Sequence, residues 1–165
     1  MPRHTPCLFF FLLVWMLGSA TSPAYTGSGK ITARVSLTDA NGQVVYGDWV
    51  RVFLVTAAID IAPVDLTGAG AALERASRIN SGHTAFFIQF REMMAREGYC
   101  VDDKLTRPDG TVTFNRISPG RYYIVITFPT MIAGQKAAWQ VPVDVVADRT
   151  VHVEMNAENM AIRSF

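Results

Sequence analysis

The stretch that decides the fold is residues 106–128, which reads TRPDGTVTFNRISPGRYYIVITF. Pro108, Asp109 and Gly110 predict a turn, because proline pre-sets φ and glycine accepts a positive φ. Residues 111–114 then alternate polar with apolar side chains, which is the period of a half-buried strand. After a second turn at residues 118–120, both faces of the strand that ends at residue 128 are largely apolar. Such a strand is covered on two sides, so this stretch predicts a β core.

Strand patterns also flank this stretch on both sides. Asn41-Gly42 is a strong hairpin signal at the end of the first strand. We predict seven strands in all, at about residues 30–38, 49–56, 99–106, 111–115, 121–128, 138–146 and 150–155. The fold class predicted from them is mainly β: a seven-stranded antiparallel Greek-key sandwich, with a helical insertion packed on one sheet.

The insertion spans about residues 57–98, where the strand pattern is interrupted. Phe86, Phe90 and Met93 fall at three- and four-residue spacing there, as in an amphipathic helix. Gly82 predicts a division into two helices, with Asn80 or Ser81 capping the second.

The second of these helices is predicted to lie across the outer face of one sheet. Two strands carry apolar residues on the face that points away from the sandwich core, namely Phe53, Val55, Tyr123 and Val125. The helix has a matching stripe, formed by His83, Phe87, Phe90 and Met94 and flanked by Phe86 and Met93. His83 lies on this stripe, so we expect it to be at least partly buried and hydrogen-bonded.

The N-terminus has the three-part pattern of a secretory signal peptide in residues 1–24. Arg3 and His4 precede the apolar run of residues 7–17, and small residues follow. Cleavage is expected after Ala24, with Ala20 as the alternative and an uncleaved anchor as a third possibility. Removing residues 1–24 takes Arg3 from the 15 basic residues and nothing from the 14 acidic ones, which leaves 14 of each. A neutral, secreted or periplasmic domain is therefore expected, with no nucleic-acid partner and no membrane span after cleavage.

Two segments resemble the carboxypeptidase regulatory-like domain, a transthyretin-like or prealbumin-like β-sandwich. Residues 39–52 are similar to its opening, with a turn glycine, a short extended segment, a second glycine and a valine-rich strand. Residues 106–122 are similar to its second signature, whose positions are occupied by Asp109, Gly110, Phe114, Pro119, Gly120 and Tyr122. The insertion is longer than the family's usual connection, and Val44 stands where proline is common. The resemblance implies residues 25–156 as the sandwich, a tail at 157–165, and a non-catalytic accessory or surface module.

Candidate chemistry in the sequence is sparse, so no catalytic residue, metal ligand or cofactor is predicted. After residue 24 the histidines are His83 and His152, and no nucleophile elbow, zinc-binding helix or phosphate loop occurs. Glu154 follows His152 on an outward face, but two ligands make a weak metal site. Cys100 is expected to be unpaired and mostly buried.

Aromatic side chains are the candidate binding residues. Trp49, Trp139 and Tyr46 could form the flat surface on which a sugar ring stacks. In the alternative interpretation, each tryptophan caps a sandwich edge or packs beneath the insertion. The function predicted first is a non-enzymatic module that binds another macromolecule, a protein of the envelope or the extracellular space. A carbohydrate-binding module that uses exposed aromatics is the alternative.

Overall fold

The computed structural model describes residues 27–127 and 129–162 of the chain, so the predicted signal peptide at residues 1–24 lies outside the described residues. The secondary structure is mainly β, with one α-helix in the described part. The strands are β1 (Gly29–Thr38), β2 (Val44–Tyr46), β3 (Arg51–Val55), β4 (Cys100–Leu105), β5 (Thr111–Ile117), β6 (Gly120–Ile126), β7 (Met131–Ile132), β8 (Gln135–Lys136), β9 (Ala138–Val145), β10 (Thr150–Met155) and β11 (Met160–Ile162). The helix is α1 (Ala72–Met94).

Each predicted strand has a counterpart, but the described residues form eleven strands rather than seven. The four additional strands, β2, β7, β8 and β11, have only two or three residues each, too few to show a strand period in the sequence. β11 lies in the segment that was predicted to be a tail, where it pairs with β9. The count of seven is therefore corrected, and the Greek-key connectivity stays a prediction.

Two sheets form the sandwich. The four-stranded sheet is centred on β1, which pairs with β5, β2 and β10, and the five-stranded sheet has the order β11-β9-β6-β3-β4. All pairs in the five-stranded sheet are antiparallel. In the other sheet β1 and β10 run parallel, from Lys30 beside Thr150 to Val35 beside Met155. The prediction of a wholly antiparallel sandwich is wrong for this pair, because turn signals report only neighbours joined by a short hairpin.

The main core lies between the two sheets. Alternate residues of β1 point inward and are completely buried, including Ile31 and Val35. They pack with Phe114 from the same sheet and with Leu54 and Ile124 from the facing one. The inward side chains of the central strands are accordingly apolar, whereas the edge strand β4 turns Asp102 and Lys104 to this side, where they form an ion pair.

A second apolar cluster lies on the outer face of the five-stranded sheet, beneath α1. Val55 and Val125 from the sheet are completely buried there, together with Phe86 and Phe90 from the helix. The Phe53 and Phe90 rings lie 4.8 Å apart between centroids. The predicted packing of the helix across this face is confirmed. The helix is not apolar enough to cross a membrane, and it is the one helix of the described residues.

The helix differs from the prediction in two respects. It runs unbroken through Gly82 and has 23 residues. A Cβ at Gly82 would lie 2.5 Å from the Val64 side chain, so this glycine permits close approach of the preceding loop. The buried residues of the helix are Ile79, His83, Phe86 and Phe90, whereas Phe87 is only half-buried, because the buried stripe is rotated slightly from the predicted one.

Phe90→Ala should lower the free energy of unfolding by about 3–5 kcal/mol, the usual cost of deleting a buried aromatic ring. Ile88 is more than half exposed on the same helix, so Ile88→Ala is the matched control and should stay within about 0.5 kcal/mol of the wild type. Urea unfolding measures both. Equal midpoints for Phe90→Ala and the wild type would show that α1 does not pack on the sheet.

Candidate functional site

The loop between β2 and β3 is held by the side chain of Thr106, which is buried. The Thr106 hydroxyl donates a hydrogen bond to the carbonyl oxygen of Gly47 and accepts one from the amide of Val50 at 2.8 Å. The Thr106 amide also donates to the Val50 carbonyl at 2.9 Å. Both ends of the turn at residues 48–49 are thereby tied to one residue of the neighbouring hairpin. Three hydrogen bonds of Thr106 therefore anchor this loop to the segment between β4 and β5.

Trp49 stands at the tip of this loop. Its backbone φ is 54°, in the left-handed region that non-glycine residues rarely occupy, and its side chain is 72% exposed. The sequence predicted a strand from residue 49, but β3 begins at Arg51 and Trp49 belongs to the turn. A bulky residue in this conformation costs free energy, and such strain collects at functional sites. The structure therefore presents a large aromatic ring to solvent at the tip of an anchored turn.

Tyr46 is a second exposed aromatic residue, close to Trp49 in the sequence. It lies at the end of β2, on the same side of this strand as the exposed Val44. Leu105 and Met131 are exposed too, but Leu105 lies on the outer face of the five-stranded sheet and Met131 lines a groove beside α1. We call Val44, Tyr46 and Trp49 the Trp49 surface. Tyrosine and tryptophan side chains are enriched at protein interfaces.

The structure does not bring the three predicted binding aromatics together. Tyr46 and Trp49 lie on the Trp49 surface, but Trp139 is completely buried in the main core. Its indole Nε1 donates to the Asn156 carbonyl at 2.8 Å, so its polar atom is also satisfied. Trp139 is therefore corrected from a candidate binding residue to a core residue. The alternation of Trp139 with Val141, Val143 and Val145 was the signal for this, whereas nothing in the sequence marks Thr106.

The titratable groups of the described residues are dispersed. His152 and Glu154 are exposed on β10, far from His83, which is buried beneath α1. Asp102 and Asp103 lie within β4 and point to opposite faces, where they form ion pairs with Lys104 and Arg51. Within the described ranges, no three side chains of the metal-binding types come close enough to hold an ion.

Cys100 is unpaired at the start of β4 and half-buried, so it is less buried than expected. Burial, with smaller contributions from the Asp103 and Asp102 carboxylates, raises the pKa of its thiol. A raised pKa lowers the thiolate fraction at neutral pH, and the thiolate is the nucleophile. Cys100 is thus a poor candidate for covalent chemistry.

No protein-family model matches the chain, and no curated protein matches it. Several solved structures resemble it weakly. One is a protein of Pseudomonas aeruginosa proposed to bind carbohydrate, with 18% identity, a TM-score of 0.42 and coverage of 81% of this chain and 90% of that one. Another is a minor pilin of Streptococcus agalactiae, with 12% identity, a TM-score of 0.43 and coverage of 79% and 44%. A third is the full-length major pilin SpaD of Corynebacterium diphtheriae, with 13% identity, a TM-score of 0.40 and coverage of 82% and 33%.

These likenesses are too distant to assign a family or a function. The resemblance to the carboxypeptidase regulatory-like domain accordingly stays a prediction. What the fold itself defines is a two-sheet β protein with a helix packed on one outer face. Its function has to be argued from the Trp49 surface.

Thr106→Val should release the loop that carries Trp49, because the buried Gly47 carbonyl and Val50 amide lose their partner. Leaving such groups unsatisfied costs about 1–3 kcal/mol of stability. Thr106→Ser keeps the hydroxyl and is the matched control. Urea unfolding and hydrogen exchange at the Val50 amide measure the effect. If Thr106→Val and Thr106→Ser had the same urea midpoint and the same exchange rate at the Val50 amide, the Thr106 hydroxyl would not hold the loop.

Proposed function

We propose that this chain is a secreted or periplasmic, non-catalytic β-sandwich module that binds another macromolecule, a protein, through the Trp49 surface. The observation that carries the proposal is the exposed ring of Trp49 on a loop fixed by Thr106. The compartment rests on the signal-peptide pattern of residues 1–24.

A rigidly held, exposed tryptophan suits the centre of a protein interface. Tryptophan and tyrosine are enriched among the few residues that dominate binding energies. Because the loop is already ordered, little conformational entropy is lost when a partner covers the ring. The positive φ of Trp49 belongs to the turn between β2 and β3, and the side chain there is mostly exposed, which suits presentation of the ring to a partner.

The surroundings of Trp49 favour a protein over a sugar. Val44, on the same side of β2 as Tyr46, presents a branched aliphatic group, which fits an apolar protein surface. A sugar site combines a flat ring with polar groups that bind hydroxyls. Tyr46 and Trp49 still offer two exposed aromatic rings on one short segment, so carbohydrate binding is the alternative function.

The test is photo-crosslinking from the Trp49 surface, followed by a titration with the purified partner. A photoreactive phenylalanine analogue at Tyr46 should capture one protein from an envelope or extracellular extract. Trp49→Ala should then weaken the affinity for that protein at least about 30-fold, which corresponds to the 2 kcal/mol or more of a hot spot. Leu73→Ala is the matched control, since Leu73 is the most exposed large apolar residue in the described part of the chain and lies on α1.

The control should bind with wild-type affinity. Equal affinity of Trp49→Ala and wild type would contradict the proposed site. Binding to a glycan array that disappears in Trp49→Ala, with no crosslinked protein partner, would replace the protein by a carbohydrate. Trp49→Ala should not destabilise the loop, because Trp49 contributes little buried surface. A change in binding therefore reports on the binding site and not on the stability of the loop.

A further inference from the structure

His83 lies in the middle of α1 and is completely buried against the five-stranded sheet. It shares the buried face of the helix with Ile79, Phe86 and Phe90, which pack in the second apolar cluster. This position is central to the contact between the helix and the sandwich. A titratable ring in an apolar contact of this kind makes the contact sensitive to proton concentration.

Neither ring nitrogen of His83 has a hydrogen-bond partner within the described part of the chain. The sequence-based expectation of a hydrogen-bonded histidine is therefore wrong. Burying a polar group without a partner costs free energy, and burying it as a cation costs far more. Burial here therefore favours the neutral imidazole over the imidazolium.

The charged groups around this interface reinforce the preference. Lys136 of β8 is the charged residue that acts on His83, and it donates a hydrogen bond to Asn80 one turn away. On the loop that precedes α1, the Asp65 carboxylate accepts a hydrogen bond from the Thr67 amide. On β3 Arg51 is paired with Asp103. None of the carboxylates in the described ranges forms an ion pair with His83.

The remaining groups facing α1 are uncharged. The side-chain amide of Gln140 on β9 forms two hydrogen bonds with the backbone of Ile59. It donates one to the Ile59 carbonyl and accepts one from the Ile59 amide. Burial raises the pKa of Tyr99 to about 12, so this phenol stays protonated across the physiological range. Among the described residues, none of these groups therefore offers a negative charge that could stabilise an imidazolium at His83.

We propose that His83 is an acid-sensitive latch, whose protonation releases α1 from the outer face of the five-stranded sheet. Release exposes the apolar residues that the helix covers, Phe53, Val55, Tyr123 and Val125. The sandwich core lies on the other face of that sheet and keeps its own contacts. A fall in pH thereby exposes a second apolar surface, on the outer face of the five-stranded sheet.

The direction of the effect follows from linkage. Burial, with a smaller contribution from Lys136, lowers the pKa of His83 below its usual 6.5. The open state binds the proton more readily, so the stability of the closed state is fully present above pH 6.5 and is lost as the pH falls below it. With one proton taken up, opening increases up to about tenfold per pH unit.

Hydrogen exchange of the whole chain between pH 7.5 and 5.0 tests the latch, because aspartate and glutamate keep most of their charge in this range. After correction for intrinsic rates, protection of α1 amides should fall below pH 6.5 by up to about tenfold per pH unit, while β6 and β9 stay protected. His83→Leu should hold α1 protection constant. His152→Gln is the matched control, since His152 is exposed on β10, and it should respond like the wild type.

Three outcomes would overturn the proposal. They are unchanged α1 protection in the wild type, an acid response that persists in His83→Leu, and simultaneous loss of protection in α1, β6 and β9. The wild-type pH series is decisive by itself if His83→Leu does not fold.

Discussion

The structure depends on one constraint: the central strands of the five-stranded sheet are apolar on both faces, so both faces must be kept from water. Leu54 and Ile124 point into the sandwich core, while Val55 and Val125 point outward, and all four are completely buried. A single facing sheet can cover only one side. Burial stabilises by about 25 cal/mol per Å² of apolar surface, so an uncovered outer face would weaken the fold and invite association. The inserted helix meets this requirement.

Local sequence patterns predicted this arrangement well for the long strands and the helix, whose periodic spacing shows which residues are buried. The strand alternation placed Ile31 and Val35 inward, and the spacing of Phe86 and Phe90 placed a helix on the outer face. Local patterns failed where the structure is determined by contacts between residues that are distant in sequence. The parallel pairing of β1 with β10 has no turn signal, and Gly82 lies inside the helix, where its missing side chain leaves room for Val64 of another segment.

The candidate site was only partly predictable for the same reason. Tryptophan is compatible with both core and surface, and the sequence marked Trp49 and Trp139 equally as candidates. Trp139 is buried because it continues the inward row of β9, whereas Trp49 is exposed because the strand begins two residues later. The clamp that fixes Trp49 consists of one hydroxyl at Thr106, brought close only by the folded hairpin. A contact made by one hydroxyl group produces no periodic pattern that could be recognised in the sequence.

The most direct test of two-sided coverage is urea unfolding of a chain without the insertion. The Thr56 amide donates to the Tyr99 carbonyl at 3.0 Å, so a short glycine-serine linker can replace residues 57–98. We expect this deletion to lower the urea midpoint, because the uncovered outer face is apolar. Replacing the four outer residues, Phe53, Val55, Tyr123 and Val125, by threonine in the deletion chain should raise the midpoint again. A deletion chain that unfolds cooperatively at the wild-type midpoint, with its outer face unchanged, would contradict the account.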